Sequence, residues 1–264
     1  MPADAAGIGQ GQLPDRLVLV TYNIWFGEYL WEERIAALLD QVSACRPDVI
    51  ALQEVTPRQL EHILANAWIC RNFWVSDVEG ATLDPHGVLL LSRLPLRGLV
   101  LHELPSEKDR KLLLGELAIA SRAVCLGNLH LESSASATPL RLAQLDRVLY
   151  SIKGARHRIL AGDFNFDPVQ KPEQARVESH YLDLWEALRG EEPGYTEDTD
   201  INRMRLLHKN KEKQVRFDRI LLRSDIPGWR PESVRLIGTQ PISPDLPEVF
   251  PSDHFGLAGS LVWK

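Results

Sequence analysis

Residues 17–22 form an unbroken apolar run that stops at Asn23. A run this short, with no polar alternation, is the pattern of a buried strand. Residues 48–52 repeat it and stop at Gln53 and Glu54, and residues 157–161 repeat it and stop at Gly162 and Asp163. Helical spacing lies between these runs. Residues 31–45 carry Ile35, Leu38, Leu39 and Val42 on one face, and Pro47 stops the segment. Residues 57–67 begin with a proline in the first turn, residues 139–152 place Leu142, Leu145, Val148 and Leu149 on one face, and residues 181–188 read as a short helix. Further strands are expected at 87–91, 111–120, 123–131, 214–223 and 255–263. Strands and helices mix along the whole length, with no repeat, low-complexity tract or separating linker. The pattern predicts a single α+β domain over 16–264, with helices outside and two packed sheets. Residues 1–15, small and polar with several glycines and prolines, read as a flexible arm.

Composition narrows the function classes. The 264 residues are 44% hydrophobic and 25% charged, which excludes a disordered, coiled-coil, collagen-like or disulfide-scaffold chain. No stretch is long and apolar enough to span a bilayer, and residues 1–9 lack the basic start and apolar run of a signal peptide. Lys and Arg number 30 against 36 Asp and Glu, so the net charge is −6. Binders that work by bulk charge are usually basic, so any nucleic-acid ligand must be held by a local cluster. Cys45, Cys70 and Cys125 read as reduced thiols in an intracellular compartment, packed as small buried hydrophobes, with no metal-ligand spacing. A monomer is expected, since no exposed heptad or long apolar stripe is visible.

The informative fact is where polar residues fall. Five strand-like runs meet a polar cluster: Asn23; Glu54; His130 with Glu132; Asp163 with Asn165; and Asp253 with His254. Asp218 sits inside a sixth apolar strand, between Phe217 and Ile220. Carboxylates among apolar strand residues are costly unless paired, hydrogen-bonded or bound to metal. Each position has a plain reading of its own, as a turn former, an Asx turn, a strand cap or an ion pair. Together they supply the parts of one reaction. Carboxylates with an amide oxygen suit Mg²⁺. A histidine paired with an aspartate presents a proton-bearing nitrogen to a phosphate oxygen. An aspartate near an asparagine holds and deprotonates a water. This is the set for metal-assisted hydrolysis of a phosphate ester. A zinc site, a serine hydrolase and a P-loop ATPase each lack their motif.

Six motifs occur in order: Thr21-Tyr22-Asn23, Leu52-Gln53-Glu54-Val55, Asn128-Leu129-His130-Leu131-Glu132-Ser133, Gly162-Asp163-Phe164-Asn165, Arg216-Phe217-Asp218-Arg219-Ile220 and Pro251-Ser252-Asp253-His254-Phe255-Gly256-Leu257. In this order they resemble the endonuclease/exonuclease/phosphatase superfamily, and within it the branch that cleaves 5′-tyrosyl-DNA phosphodiesters. The resemblance implies a four-layer α/β/β/α sandwich and Mg²⁺ as cofactor, with Mn²⁺ as a substitute. It implies hydrolysis between a tyrosine and the 5′ end of a nucleic acid, single-stranded there, as in repair of DNA adducts. It assigns Glu54 as main metal ligand, with Asn23 and Asp253 close to the metal or phosphate. Asp163, helped by Asn165, would activate the water. His254, oriented by Asp218, would hold the phosphate oxygen, and His130 would support the phosphate side.

Two residues depart from that branch: Asp167 stands where it commonly has a phosphate-contacting arginine, and Glu197 where it commonly has a tryptophan near the strand. Both add negative charge near the expected entry and keep another nuclease or phosphoesterase of the superfamily in play. Basic residues from Arg203 to Arg219, including Arg205 and Arg216, form a loop that would attract a phosphate backbone. Trp25 and Phe26 are candidates for stacking on a base or a tyrosine ring. Tyrosine's phenol, with a pKa of about 10, leaves with less proton help than an alkoxide, which suits a phosphotyrosyl ester.

Overall fold

The computed structural model describes residues 15–119 and 122–264. The arm expected over 1–15 lies, apart from Asp15, outside them. Two six-stranded mixed sheets stack face to face. The first runs β13 (Trp229–Ile237), β14 (Gly256–Trp263), β1 (Arg16–Asn23), β2 (Val49–Val55), β4 (Gly87–Ser92), β3 (Trp74–Val75). The second runs β5 (Leu96–Glu103), β6 (Lys111–Leu117), β7 (Val124–His130), β8 (His157–Asp163), β12 (Asp218–Ser224), β9 (Leu182–Asp183). A ribbon of β10 (Glu197–Asp198) and β11 (Gln214–Val215) stands apart.

The apolar runs are continuous because both faces of each sheet are covered. In β1, Leu17 and Leu19 point into the core between the sheets, beside Ile159, Ala161 and Ile220. Val20 and Tyr22 point the other way, onto Ile35, Leu38 and Val42 of α1 (Trp31–Ala44) and Leu60 and Ile63 of α2 (Pro57–Ala65). On the far side, Leu129 and Leu160 pack against Leu145 and Val148 of α4 (Thr138–Ile152) and Val177 of α5 (Lys171–Glu178). The expected four-layer α/β/β/α sandwich is what the structure shows.

Several boundaries differ from expectation. The helix expected over 57–67 is two, because Asn66 ends α2 and its side chain accepts from the backbone N–H groups of Trp68 and Ile69 to start α3 (Ala67–Asn72). Residues 181–188 divide into β9 and α6 (Leu184–Arg189), capped by Asp183. The strand expected over 214–223 is broken at Arg216 and Phe217, so Asp218 opens β12 rather than sitting inside it. Likewise Asp253 and His254 precede β14. Strands β5 and β13, sheet edges rich in polar residues, carry no apolar run, and α5 and the six-residue α7 (Met204–Lys209) carry weak periodicity; none was expected. The thiols are free, but Cys45 and Cys125 are half-buried and Cys70 is exposed, so none is a fully buried hydrophobe.

The parallel pairs position the site. β1 and β2 pair with Asn23 opposite Gln53, joined through α1; β7 and β8 pair with His130 opposite Asp163, joined through α4. Parallel strands end together, so four functional ends lie along one rim. β12 and β14 run antiparallel to these and begin at that rim, with Asp218 opposite Asp163. Apolar packing between sheets is non-directional; buried amides add direction. Gln53 Nε2 donates to Asn128 Oδ1 at 2.8 Å across the interface, and Asn128 Nδ2 donates to the carbonyls of Leu52 and Leu89 at 2.9 Å each.

Asn128→Ala removes the Gln53 contact across the interface and the donor to the Leu52 and Leu89 carbonyls and is expected to cost about 1–3 kcal/mol in urea unfolding. Gln53→Leu combined with Asn128→Leu is expected to cost less than the two single changes summed. Strict additivity would refute the coupling.

Candidate active site

Local backbone aims the side chains. Glu54 has φ 60° at a β-bulge between Leu52 and Val55, Asn165 has φ 52° and Trp25 has φ 55°. Left-handed backbone at non-glycine residues costs energy and collects at functional sites. Gly162 has φ 142°, and a Cβ there would stand 1.9 Å from the Leu129 carbonyl oxygen, so only glycine lets β8 approach β7 before Asp163.

On one side of the rim, Asn23 Nδ2 donates to Asp163 Oδ2 at 3.0 Å, and its Oδ1 accepts from Trp25 N–H at 3.1 Å. Asn23 therefore presents its nitrogen to Asp163, not its oxygen. Glu54 Oε2 accepts from Phe26 N–H at 3.2 Å, while Oε1 lies 3.9 Å from His130 Nε2. Arg110 donates to His130 Nδ1 at 2.8 Å, which leaves the proton on Nε2, 3.3 Å from Asp163 Oδ2. Asp163 Oδ1 accepts from Asn165 N–H, and Asn165 Nδ2 is tied to the Leu131 carbonyl. Burial would raise the Asp163 pKa, yet His130, His254 and the Asn23 donor hold it well below the usual carboxylate range.

On the other side, His254 Nδ1 donates to Asp218 Oδ2 at 2.8 Å, and Nε2 lies 3.0 Å from Glu197 Oε1. Burial disfavours the imidazolium, but the two carboxylates outweigh it and raise the His254 pKa well above its ordinary value. Thr196 Oγ1 accepts from the Phe217 and Asp218 N–H groups and so fixes the start of β12. Ser252 Oγ donates to the Asn23 carbonyl at 2.6 Å, tying the Asp253-His254 turn to β1. Asp253 Oδ2 meets Lys209 at 2.9 Å and Arg205 at 3.4 Å.

These groups surround a cavity of about 410 Å³ lined by Phe26, Glu54, His86, Arg110, His130, Asp163, Asn165, Glu197, Arg205, Lys209 and His254 among others. The larger hollow at the β9 edge, about 920 Å³, contains none of them. Of the expected contact residues, Phe26 is 45% exposed and stacks on His86 at 4.8 Å, whereas Trp25 is packed with Met204, Phe250 and Phe255 and belongs to the core. Arg205 faces the cavity. Arg203 pairs loosely with Glu248 outside it, and Arg216 is buried against Asp183 and Glu186. Asp167 closes its own turn by accepting from Val169 N–H and does not line the cavity; Glu197 does. Glu132 is likewise turned away from it. Its carboxylate accepts from Ser106 Oγ and Glu107 N–H and anchors the loop bearing Arg110.

Thr196, Arg110, His86 and Arg34 were not legible as site residues. Arg34 is fully buried in α1 and donates to the carbonyls of Ile24, Trp25, Gly27, Tyr29 and Pro251, holding the Phe26 loop against the Ser252 turn. Three such carbonyls follow one another at 24–27, a loop conformation with no sequence signature. The charged stretch Glu107-Lys108-Asp109-Arg110 before an apolar strand was the one available signal for Arg110.

The donor chemistry suits a hard cation: Glu54 and Asp163 each place a carboxylate oxygen near His130 Nε2, at 3.9 and 3.3 Å. Asp163, Asp218 and His254 also bring potential ligand atoms within 4.8 Å of one another. There, however, His254 commits Nδ1 to Asp218, which suits a charged imidazole better than a metal ligand.

This fold and rim belong to the phosphoesterases of the Endonuclease/Exonuclease/phosphatase family, whose profile matches residues 20–254, and the chain is a member of that metal-dependent family. Its curated relatives include tyrosyl-DNA phosphodiesterase 2 from Xenopus laevis, 32% identical over 90% of this chain and 65% of the relative, and the Homo sapiens protein of that name, 29% identical over 87% and 63%. The chain thus spans under two thirds of their length. The crystal structure of D. rerio TDP2 complexed with single strand DNA product superposes with a TM-score of 0.80, at 25% identity, covering 94% of this chain and 99% of that one.

His254 is expected to stay protonated at neutral pH, read from its ring resonances by NMR titration. In Asp218→Asn one supporting carboxylate is gone while burial persists, so the pKa should fall. An unchanged pKa would remove Asp218 from this role.

Proposed function

We propose that residues 16–264 act as one Mg²⁺-dependent phosphodiesterase that hydrolyses the bond between a tyrosine and the 5′-phosphate of a nucleic acid. The observation that carries this is that Asp163 with Asn165 and the Asp218–His254 pair meet at one cavity, with ligand-type atoms of Asp163, Asp218 and His254 within 4.8 Å of one another. Asp163, kept ionised, takes the proton of the attacking water, and Asn165 orients it. His254, kept protonated by Asp218, donates from Nε2 to a non-bridging phosphoryl oxygen as negative charge builds there. His130 donates from the other wall. Glu54 is the residue that would hold Mg²⁺, or Mn²⁺ in its place, which supplies charge neutralisation at the phosphate. Asn23 as built serves Asp163 and would need its amide turned to join as a ligand. Asp253 sits on the cationic wall with Lys209 and Arg205, where it orients both.

The nucleic-acid strand is favoured on two grounds. Arg205, Lys209 and Arg110 place cationic side chains on the cavity wall of an acidic protein. The Phe26–His86 stack offers an aromatic platform at its mouth. The relatives' names supply the tyrosyl leaving group, and a phenolate suits a site with no further acid dedicated to the leaving oxygen. Glu197 on the cavity wall favours a second reading, a phosphoesterase of the same family acting on another ester. In either case the protein works in the cell interior as a monomer.

A single-stranded oligonucleotide carrying a 5′-phosphotyrosine is expected to release tyrosine only with Mg²⁺. Glu54→Ala and His254→Ala should each lower the rate by roughly 10²–10⁴-fold with circular dichroism unchanged. Mg²⁺-dependent cleavage of a different phosphoester, with no tyrosine released, would move the assignment to the second reading.

A further inference from the structure

Glu197 is the residue at this rim whose chemistry runs against the task. Its carboxylate is 2% exposed and sits where the cavity needs an anion-binding surface. Oε1 lies 3.0 Å from His254 Nε2 and 2.8 Å from Arg205 Nη1. His254 Nε2 is the proton-bearing atom that faces the cavity, since Nδ1 is committed to Asp218. We propose that Glu197 acts as a built-in occupant of the phosphate subsite, its carboxylate standing where a phosphoryl oxygen of the substrate binds, and that it sets specificity by making each substrate compete for His254 and Arg205.

Three observations support displacement over permanent residence. Glu197 Oε2 is buried without a hydrogen-bond partner, and so is Arg205 Nε beside it. The carboxylate leaves this donor set incompletely used, whereas the two non-bridging oxygens of a phosphate diester have a tetrahedral spread that a planar carboxylate lacks. The residue is carried on β10, two residues long and paired only to β11, so its side chain can swing without disturbing either main sheet. Thr196, which fixes β12, is a separate side chain on the adjacent backbone and need not move. Because a substrate must displace this anion from His254 and Arg205, esters that engage those donors poorly are refused. Discrimination by an internal competitor costs affinity and gains selectivity.

This inference rests on the site being a phosphoester site, and the test separates the two. Inorganic phosphate is titrated calorimetrically into the wild-type protein, Glu197→Gln and Glu197→Ala, with thermal melts confirming that each is folded. Phosphate is expected to bind about ten- to a hundredfold more tightly to Glu197→Ala, with Glu197→Gln between it and the wild type. Adding His254→Ala to Glu197→Ala should remove the gain. On whichever ester the wild type hydrolyses, KM should fall in Glu197→Ala. Unchanged or weaker phosphate binding in both variants overturns the proposal. So does a kcat loss as large as that of His254→Ala with KM unaltered, which would make Glu197 a participant in the chemical step. Failure to cleave phosphotyrosyl DNA, with phosphate binding still tightened, would remove the tyrosyl reading and leave Glu197 as the occupant.

Discussion

The site depends on how two sheets are held relative to one another. Glu54 and Asn23 belong to the first sheet; His130, Asp163 and Asp218 belong to the second. Hydrophobic burial brings the sheets together but is indifferent to a slide of a few ångströms. The Gln53–Asn128 bond and the Asn23–Asp163 bond are directional and lie at the rim end of the interface. They turn an apolar contact into a single register. Each is buried, so its loss leaves polar groups unpaired and the preference for that register is steep.

Charge at the rim is divided in the same way. Each histidine lies between a group that fixes one ring nitrogen and an opening that the other nitrogen faces. Arg110 donates to His130 Nδ1, so Nε2 of that ring faces Asp163; Asp218 and Glu197 favour the charged form of His254. The cations at the cavity carry their own counter-charges, Arg205 paired with Glu197 and Lys209 with Asp253.

Much of this was legible in the sequence, for physical reasons that differ by element. Strands β1, β2, β7 and β8 were visible because burial on both faces leaves uninterrupted apolar runs, and their polar ends stood out against them. The edge strands β5 and β13 were not, since their outward residues answer to water instead of a core. Asp163, Asp218 and His254 stand out in the sequence because an ionisable group beside an apolar strand is conspicuous, and the fold brings the three together. Arg34, Thr196 and Arg110 were missed because their work is done on backbone carbonyls, backbone N–H groups and a ring nitrogen brought near only by the fold. Trp25 and Arg216 were natural candidates by type, yet the packing uses one as core and the other as the partner of Asp183. The proposed tyrosyl specificity is written in no single motif.

The pairing of β1 with β14, Leu17 opposite Leu261, carries a consequence for biogenesis. β1 is made first and can pair with β2 early, but its other edge stays bare until residues 256–263 have left the ribosome. His254 arrives in the same late segment and is docked onto β1 by Ser252. A nascent chain can therefore hold most of its sandwich and still have no functioning centre. Assembly of the rim thus waits on the pairing of β14 with β1, two strands far apart in the chain.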